Sequence, residues 1–98
     1  MSKIIKTVKT DDLSKLNYYP TDVLFNTIEK KRRKLLLEKA CRKGNSYYGQ
    51  KARIVFASKS GIKKIEARVI SLTKTTITLK GLNSLPIKSI IGVEVDVE

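Results

Sequence analysis

Residues 52–98 read ARIVFASKSGIKKIEARVISLTKTTITLKGLNSLPIKSIIGVEVDVE, and this stretch decides the fold. Ala52 to Ala57 is short, aromatic and β-branched, the composition that fits a pleated, half-buried surface. Ser58-Lys59-Ser60-Gly61 reads as a hairpin turn, with glycine where unusual backbone angles are needed. Ile62 to Leu72 is long and partly alternating, with Ile65, Ala67 and Val69 on one face. Thr73-Lys74-Thr75 turns the chain into Thr76–Lys80, where Ile77 and Leu79 point the same way. Gly81 to Ser84 turns it again, into Leu85-Pro86-Ile87. Pro86 must lie at a strand start or an edge, because it cannot donate to a ladder. Ile87-Lys88-Ser89-Ile90 reads as one tight helical turn. Ile91, Val93, Val95 and Val97 then alternate with Gly92, Glu94, Asp96 and Glu98, the cleanest period of two in the chain. Five short strands joined by tight turns form an antiparallel meander. So small a sheet has costly free edges, and closing into a barrel removes them.

Working outward, the residues ahead of the meander carry a helical pattern. Asp22 to Lys43 contains neither glycine nor proline, and Gly44 supplies the stop. Thr21, between Pro20 and Asp22, is the expected N-cap. At about 100° per residue, Leu24, Phe25, Ile28, Leu35, Leu36 and Ala40 share an arc that should face the sheet. Arg32 and Lys39 interrupt that arc; their methylenes lie along apolar surface, or the helix overhangs the core and shows them to a ligand. Leu37 falls on the polar side and would mark a second contact. Residues 1–20 hold one alternating run, Lys3 to Lys9, and a polar stretch ending in Tyr18-Tyr19-Pro20. They are expected to form a flexible arm. The organisation is thus α+β, one domain over residues 21–98. An amphipathic basic helix at about residues 22–43 precedes a five-stranded antiparallel barrel at about residues 51–98.

The charge is concentrated. Ten of the 24 residues from Lys30 to Arg53 are Lys or Arg and only Glu38 is acidic, so this stretch supplies +9 of a formal +12. Such a block repels itself and needs solvation or an anionic partner. Nucleic acid rewards clustered cations through counterion release. A compositional bias toward Lys and Ile would produce the same balance, since 16 of the 21 cations are lysines.

The second half resembles the SH3-like and Sm-like small barrels, carried by ARIVF, GIKKIEARVISL, TITLKG, LPIKSI and IGVEV. A helix ahead of the barrel is similar to the order in bacterial Sm-like RNA chaperones, in Rho-binding antiterminator barrels and in short bacterial proteins of the same layout. The resemblance implies a five-stranded barrel and raises the expectation of nucleic-acid work. It does not carry over the uridine-binding pore of the Sm-like chaperones, because this chain has no histidine. Nor does it imply proline-rich ligands, because the aromatic set of eukaryotic SH3 domains is missing.

Catalysis is not expected. Histidine, the most common general base and metal ligand, is absent, and no glycine-rich phosphate loop occurs. Cys41 stands alone and reads as a small apolar residue; a single cysteine also indicates a reducing compartment. No cofactor or metal is expected. No apolar window approaches a membrane span, so a soluble cytoplasmic chain is expected. The candidate interface is Lys30, Lys31, Arg33, Lys34, Arg42, Lys43, Tyr47, Tyr48, Lys51 and Arg53. Its cations would track phosphates; Tyr47 and Tyr48 would stack on unpaired bases or instead pack the helix onto the barrel, with one ring buried and its hydroxyl wet. RNA is expected ahead of DNA. The competing reading is an assembly module, with open barrel edges and Glu94, Asp96 and Glu98 meeting a partner or a second copy.

Overall fold

A computed structural model of the chain describes residues 5–41, 51–81 and 83–95. In order, the elements are β1 (Lys6–Thr7), a 3-10 helix (Thr10–Lys15), α1 (Thr27–Cys41), β2 (Lys51–Ser58), β3 (Gly61–Leu72), β4 (Thr76–Leu79), β5 (Asn83–Pro86), a 3-10 turn (Ile87–Ser89) and β6 (Ile90–Val95). The strands run β5-β4-β3-β2-β6 in one antiparallel path, and β1 joins the free side of β3 in parallel. The architecture is therefore α+β with one main helix, as expected. The sheet is not closed into a barrel, and its path ends in β5 on one side and β6 on the other.

The long strand organises everything else. Residues 61–68 of β3 pair with β2, and Val69 to Leu72 pair with β4. Because β4 covers only the second part of β3, the flank of the first part is open, and β1 takes it with Lys6 opposite Lys63 and Thr7 opposite Lys64. The β2–β3 turn is closed by Gly61 at φ 123°, a left-handed conformation that favours glycine, and the Ser58 hydroxyl donates to the Gly61 carbonyl over 2.9 Å. Alternation along β2 buries Ala52, Ile54, Phe56 and Ser58. Ile65, Val69, Ile77, Leu79, Leu85 and Ile90 meet the apolar ones in a single core. Each large apolar side chain so buried contributes about 1.5–3 kcal/mol.

The alternation expected for the last strand breaks at its start. Val55 faces Gly92 while Phe56 faces Ile90, so Ile91 has no cross-strand partner and the strand bulges there. Ile90 is thereby fully buried, whereas Ile91 turns outward, and Val93 and Val95 are half-buried. Val97, Asp96 and Glu98 lie outside the described residues.

Of the flexible arm expected over residues 1–20, residues 1–4 lie outside the described residues, and the stretch from Val8 to Tyr18 packs against the core. Its 3-10 helix places Leu13 in the core at 1% exposure, and Val8, Leu16 and Tyr18 pack around it. The Tyr18 hydroxyl donates to the Leu13 carbonyl over 2.8 Å, and its ring stands 6.3 Å from that of Phe56. Two backbone bonds fasten the segment: Val8 N–H to the Lys64 carbonyl, and Lys59 N–H to the Asn17 carbonyl. The sparse apolar residues of TDDLSKLN were too weak a pattern to announce this burial, which arises from contacts distant in sequence.

The helix begins later than Asp22 and shows a different face. Asn26, not Thr21, caps it: its side-chain oxygen accepts from Ile28 N–H over 2.7 Å and from Glu29 N–H over 3.4 Å. The buried positions are Arg33, Leu37 and Ala40, with Leu24 buried just ahead of the helix. Of the arc expected to face the sheet, Phe25, Ile28 and Leu35 are instead exposed at 89%, 75% and 66%, while Leu37 is at 1%. The expected C-terminal residues Arg42 and Lys43, and the stop at Gly44, lie outside the described residues. Among the described residues no helix is long and apolar enough to cross a membrane.

Candidate nucleic-acid interface

Arg33 explains why the helix turned. The Asp22 carboxylate accepts from both of its terminal nitrogens, at 2.9 and 2.7 Å, and the Ile90 carbonyl accepts from Nη1 at 3.0 Å. Asp22 also accepts from Leu24 N–H over 2.9 Å, which holds residues 22–24 in a turn and delays the helix to Thr27. Val23 N–H donates to the Lys88 carbonyl, tying the same turn to the segment ahead of β6. The fork-on-fork pairing with Arg33 is the main force holding the Asp22 carboxyl below its usual range; partial burial opposes it. Arg33 is 7% exposed. It was expected among the nucleic-acid contacts, but its guanidinium is committed to the fold instead. Its Nε is buried without a hydrogen-bond partner.

The remaining candidates divide into three groups. Lys30, Lys31 and Lys34 are exposed on α1, and none forms an ion pair among the described residues. Lys30 lends Asp22 a weak additional pull. Lys51 pairs with Glu66 and Arg53 with Glu94, both at 2.6 Å with substantially exposed side chains. Exposed pairs of this kind contribute about 0–1 kcal/mol, yet they cancel local charge. Glu94 thus meets a cation of its own chain, on the face where a partner contact was expected. Arg42, Lys43, Tyr47 and Tyr48 lie outside the described residues.

The charges on α1 are sorted by the turn of the helix. Lys30 and Lys34, four residues apart, share the side that looks toward the β3–β4 turn. There they line a groove with Lys74, Arg33 and Thr73, while Leu37, Leu72 and Ile87 supply its apolar part. Lys74 is exposed, and Thr73 fixes its turn by accepting from Thr76 N–H over 3.0 Å and Thr75 N–H over 3.3 Å. Lys31, about 100° further round from Lys30, lies on the outer side with Ile28, Arg32, Leu35 and Lys39. On the opposite flank a second groove runs between Glu29, Arg32 and Leu36 of α1 and Ile91 to Val93 of β6. A third hollow, on the outer face of the sheet around Val55, mixes Arg53 and Lys64 with Glu66 and Glu94.

Sequence reasoning missed Lys74, Leu72 and Ile87. Lys74 is one lysine in a threonine-rich turn, forty positions beyond Lys34, and only the fold brings the two to one groove. Cys41 is half-buried and burial pushes its thiol upward, away from a reactive thiolate. Burial likewise raises the Tyr18 phenol. No group of three or more Cys, Asp or Glu side chains placed to hold a metal occurs among the described residues. Comparison with protein-family models, with curated proteins and with solved structures returns no match.

Proposed function

We propose that the chain is a non-enzymatic nucleic-acid-binding module, with RNA ahead of DNA, that engages phosphates through the exposed cations of α1. One observation carries this reading: Lys30, Lys31 and Lys34 stand exposed on a helix seated on the core by Arg33, Leu37 and Ala40, and none is in an ion pair among the described residues. Preplaced, unpaired cations release counterions when a polyanion replaces the solvent around them. Lys51 and Arg53 contribute less, since Glu66 and Glu94 already offset them.

The kinship with SH3-like and Sm-like barrels is part of the same proposal. Supporting it are the strand order β5-β4-β3-β2-β6, the long strand shared between two partners, and the single 3-10 turn before the last strand. Such folds serve many functions, so this support concerns ancestry rather than task.

The test reverses charge at Lys30, Lys31 and Lys34 together and leaves Arg33 in place. Binding to a labelled single-stranded RNA is then followed by anisotropy across a salt series, with circular dichroism confirming the fold. Binding by the parent should weaken steeply with salt, by a factor of the concentration to the power of about 0.7 per phosphate contacted. The triple variant should lose it. Equal binding by parent and variant would remove α1 as the interface.

A second reading rests on Ile28 and Leu35, exposed on the outer side of α1, and on Phe25, exposed just ahead of the helix. These apolar side chains favour a protein contact, by a partner or by another copy. Light scattering of a monomer at high concentration would count against self-association.

A further inference from the structure

The groove between α1 and the β3–β4 turn has a chemistry that the helix cations alone do not have. Lys30 and Lys34 stand on one rim and Lys74 on the other, all exposed, and no carboxylate is among its lining residues. The floor between them is aliphatic: Leu37 at the bottom, with Leu72 and Ile87 half-buried beside it. Its volume, about 360 Å³, falls at the small end of sites that admit a ligand rather than merely touch one.

Accepting the nucleic-acid reading above, we infer that this groove takes an unpaired nucleotide of a single strand, phosphates against the lysine rims and the sugar and base against the aliphatic floor. A duplex presents phosphates on its outside and keeps its base faces stacked within, so it would satisfy the rims and leave the floor empty. An unpaired nucleotide offers both parts together. Arg33, its terminal nitrogens held by Asp22 and the Ile90 carbonyl, and Thr73 complete the lining; the leucine and isoleucine part of the floor accepts any base face. Lys74 is the residue that separates this idea from general attraction to α1, because it lies on the other rim and far away in the chain.

The experiment compares a labelled single strand of about 12 nucleotides, within the usual span of one small binding domain, with the duplex of the same sequence. Three forms of the full chain are used: the parent, Lys74→Glu, and Lys59→Glu. Lys59 lies in the exposed β2–β3 turn, away from the groove, and supplies the same charge change. The parent should bind the single strand about tenfold more tightly than the duplex, as expected where bases as well as phosphates are engaged. Lys74→Glu should weaken single-strand binding by about tenfold and duplex binding by about twofold or less; Lys59→Glu should lower both slightly and equally. If the duplex binds as tightly as the strand, or Lys74→Glu behaves as Lys59→Glu does, the groove is not a strand site, while charge-driven binding by α1 stands. If neither nucleic acid is bound, the nucleic-acid reading falls and takes this inference with it.

Discussion

Replacing Asp22 by asparagine tests the structural role of the cationic run. The amide would keep the size of the carboxylate and still accept from Leu24 N–H, but it would leave the Arg33 guanidinium, at 7% exposure, without its counter-charge. Removing one partner of a fully buried pair costs about 3–5 kcal/mol. The Asp22 side chain is 20% exposed, so water screens part of the loss, and the Ile90 carbonyl still holds Nη1. The expected cost is therefore about 2–3 kcal/mol. In a domain of this length that corresponds to about 10–20 °C of melting temperature. Arg33→Met should cost less, because Asp22 left alone can turn to water and the thioether fills the apolar part of the site. The double variant should be less destabilised than the two singles together, by at least about 1 kcal/mol. Urea denaturation followed by circular dichroism measures all four proteins. Asp22→Asn within about 0.5 kcal/mol of the parent, or strict additivity, would refute the pairing argument.

The same pair sets a pH dependence. Asp22 titrates below its ordinary value of 3.8 in the folded chain, so its contribution is complete above that value and disappears as pH falls through the lower, folded one. Parent and Asp22→Asn should therefore converge in stability at the acid end and diverge toward neutrality, as urea midpoints taken across that range would show. The remaining predictions concern packing. Leu37→Ala should cost about 2–5 kcal/mol and Leu35→Ala less than about 0.5 kcal/mol in the same urea assay, since one is at 1% and the other at 66% exposure. Leu13→Ala should cost about 2–4 kcal/mol, a loss that a loosely held arm would not show; its thermal melt decides between them.

The sheet was legible because its code is local. Ile77 and Leu79 alternate with threonines, Ile54 and Phe56 keep the same period of two, and Gly61 marks its turn within the hairpin that it closes. The helix was misread because its face depends on residues far apart. Arg33 sits among five consecutive cations and reads as a solvated residue; only Asp22, eleven positions back, and Ile90, near the other end of the chain, make it a core residue. Once Arg33 is drawn inward, Leu37 and Ala40 follow, and Ile28 and Leu35 are forced outward by the helical repeat. The same geometry sorted the candidate interface, splitting lysines that look continuous in sequence. Bulging at Ile91 is another tertiary decision, made by the register of β2 rather than by the apolar pattern of β6.

The bond from Arg33 to the Ile90 carbonyl joins positions 57 apart, and Val23 is tied to Lys88 in the same place. During synthesis the helix sequence is thus finished long before its anchor exists. Until the last strand is made, Leu37 and Ala40 have no complete seat and the guanidinium has only Asp22. Contacts that close so long a loop carry a large entropic cost and slow the search for the native arrangement. The nascent amino-terminal half is consequently a cationic, unsupported segment, and it presents its lysines on a seated helix only when the carboxy-terminal strand locks beside it.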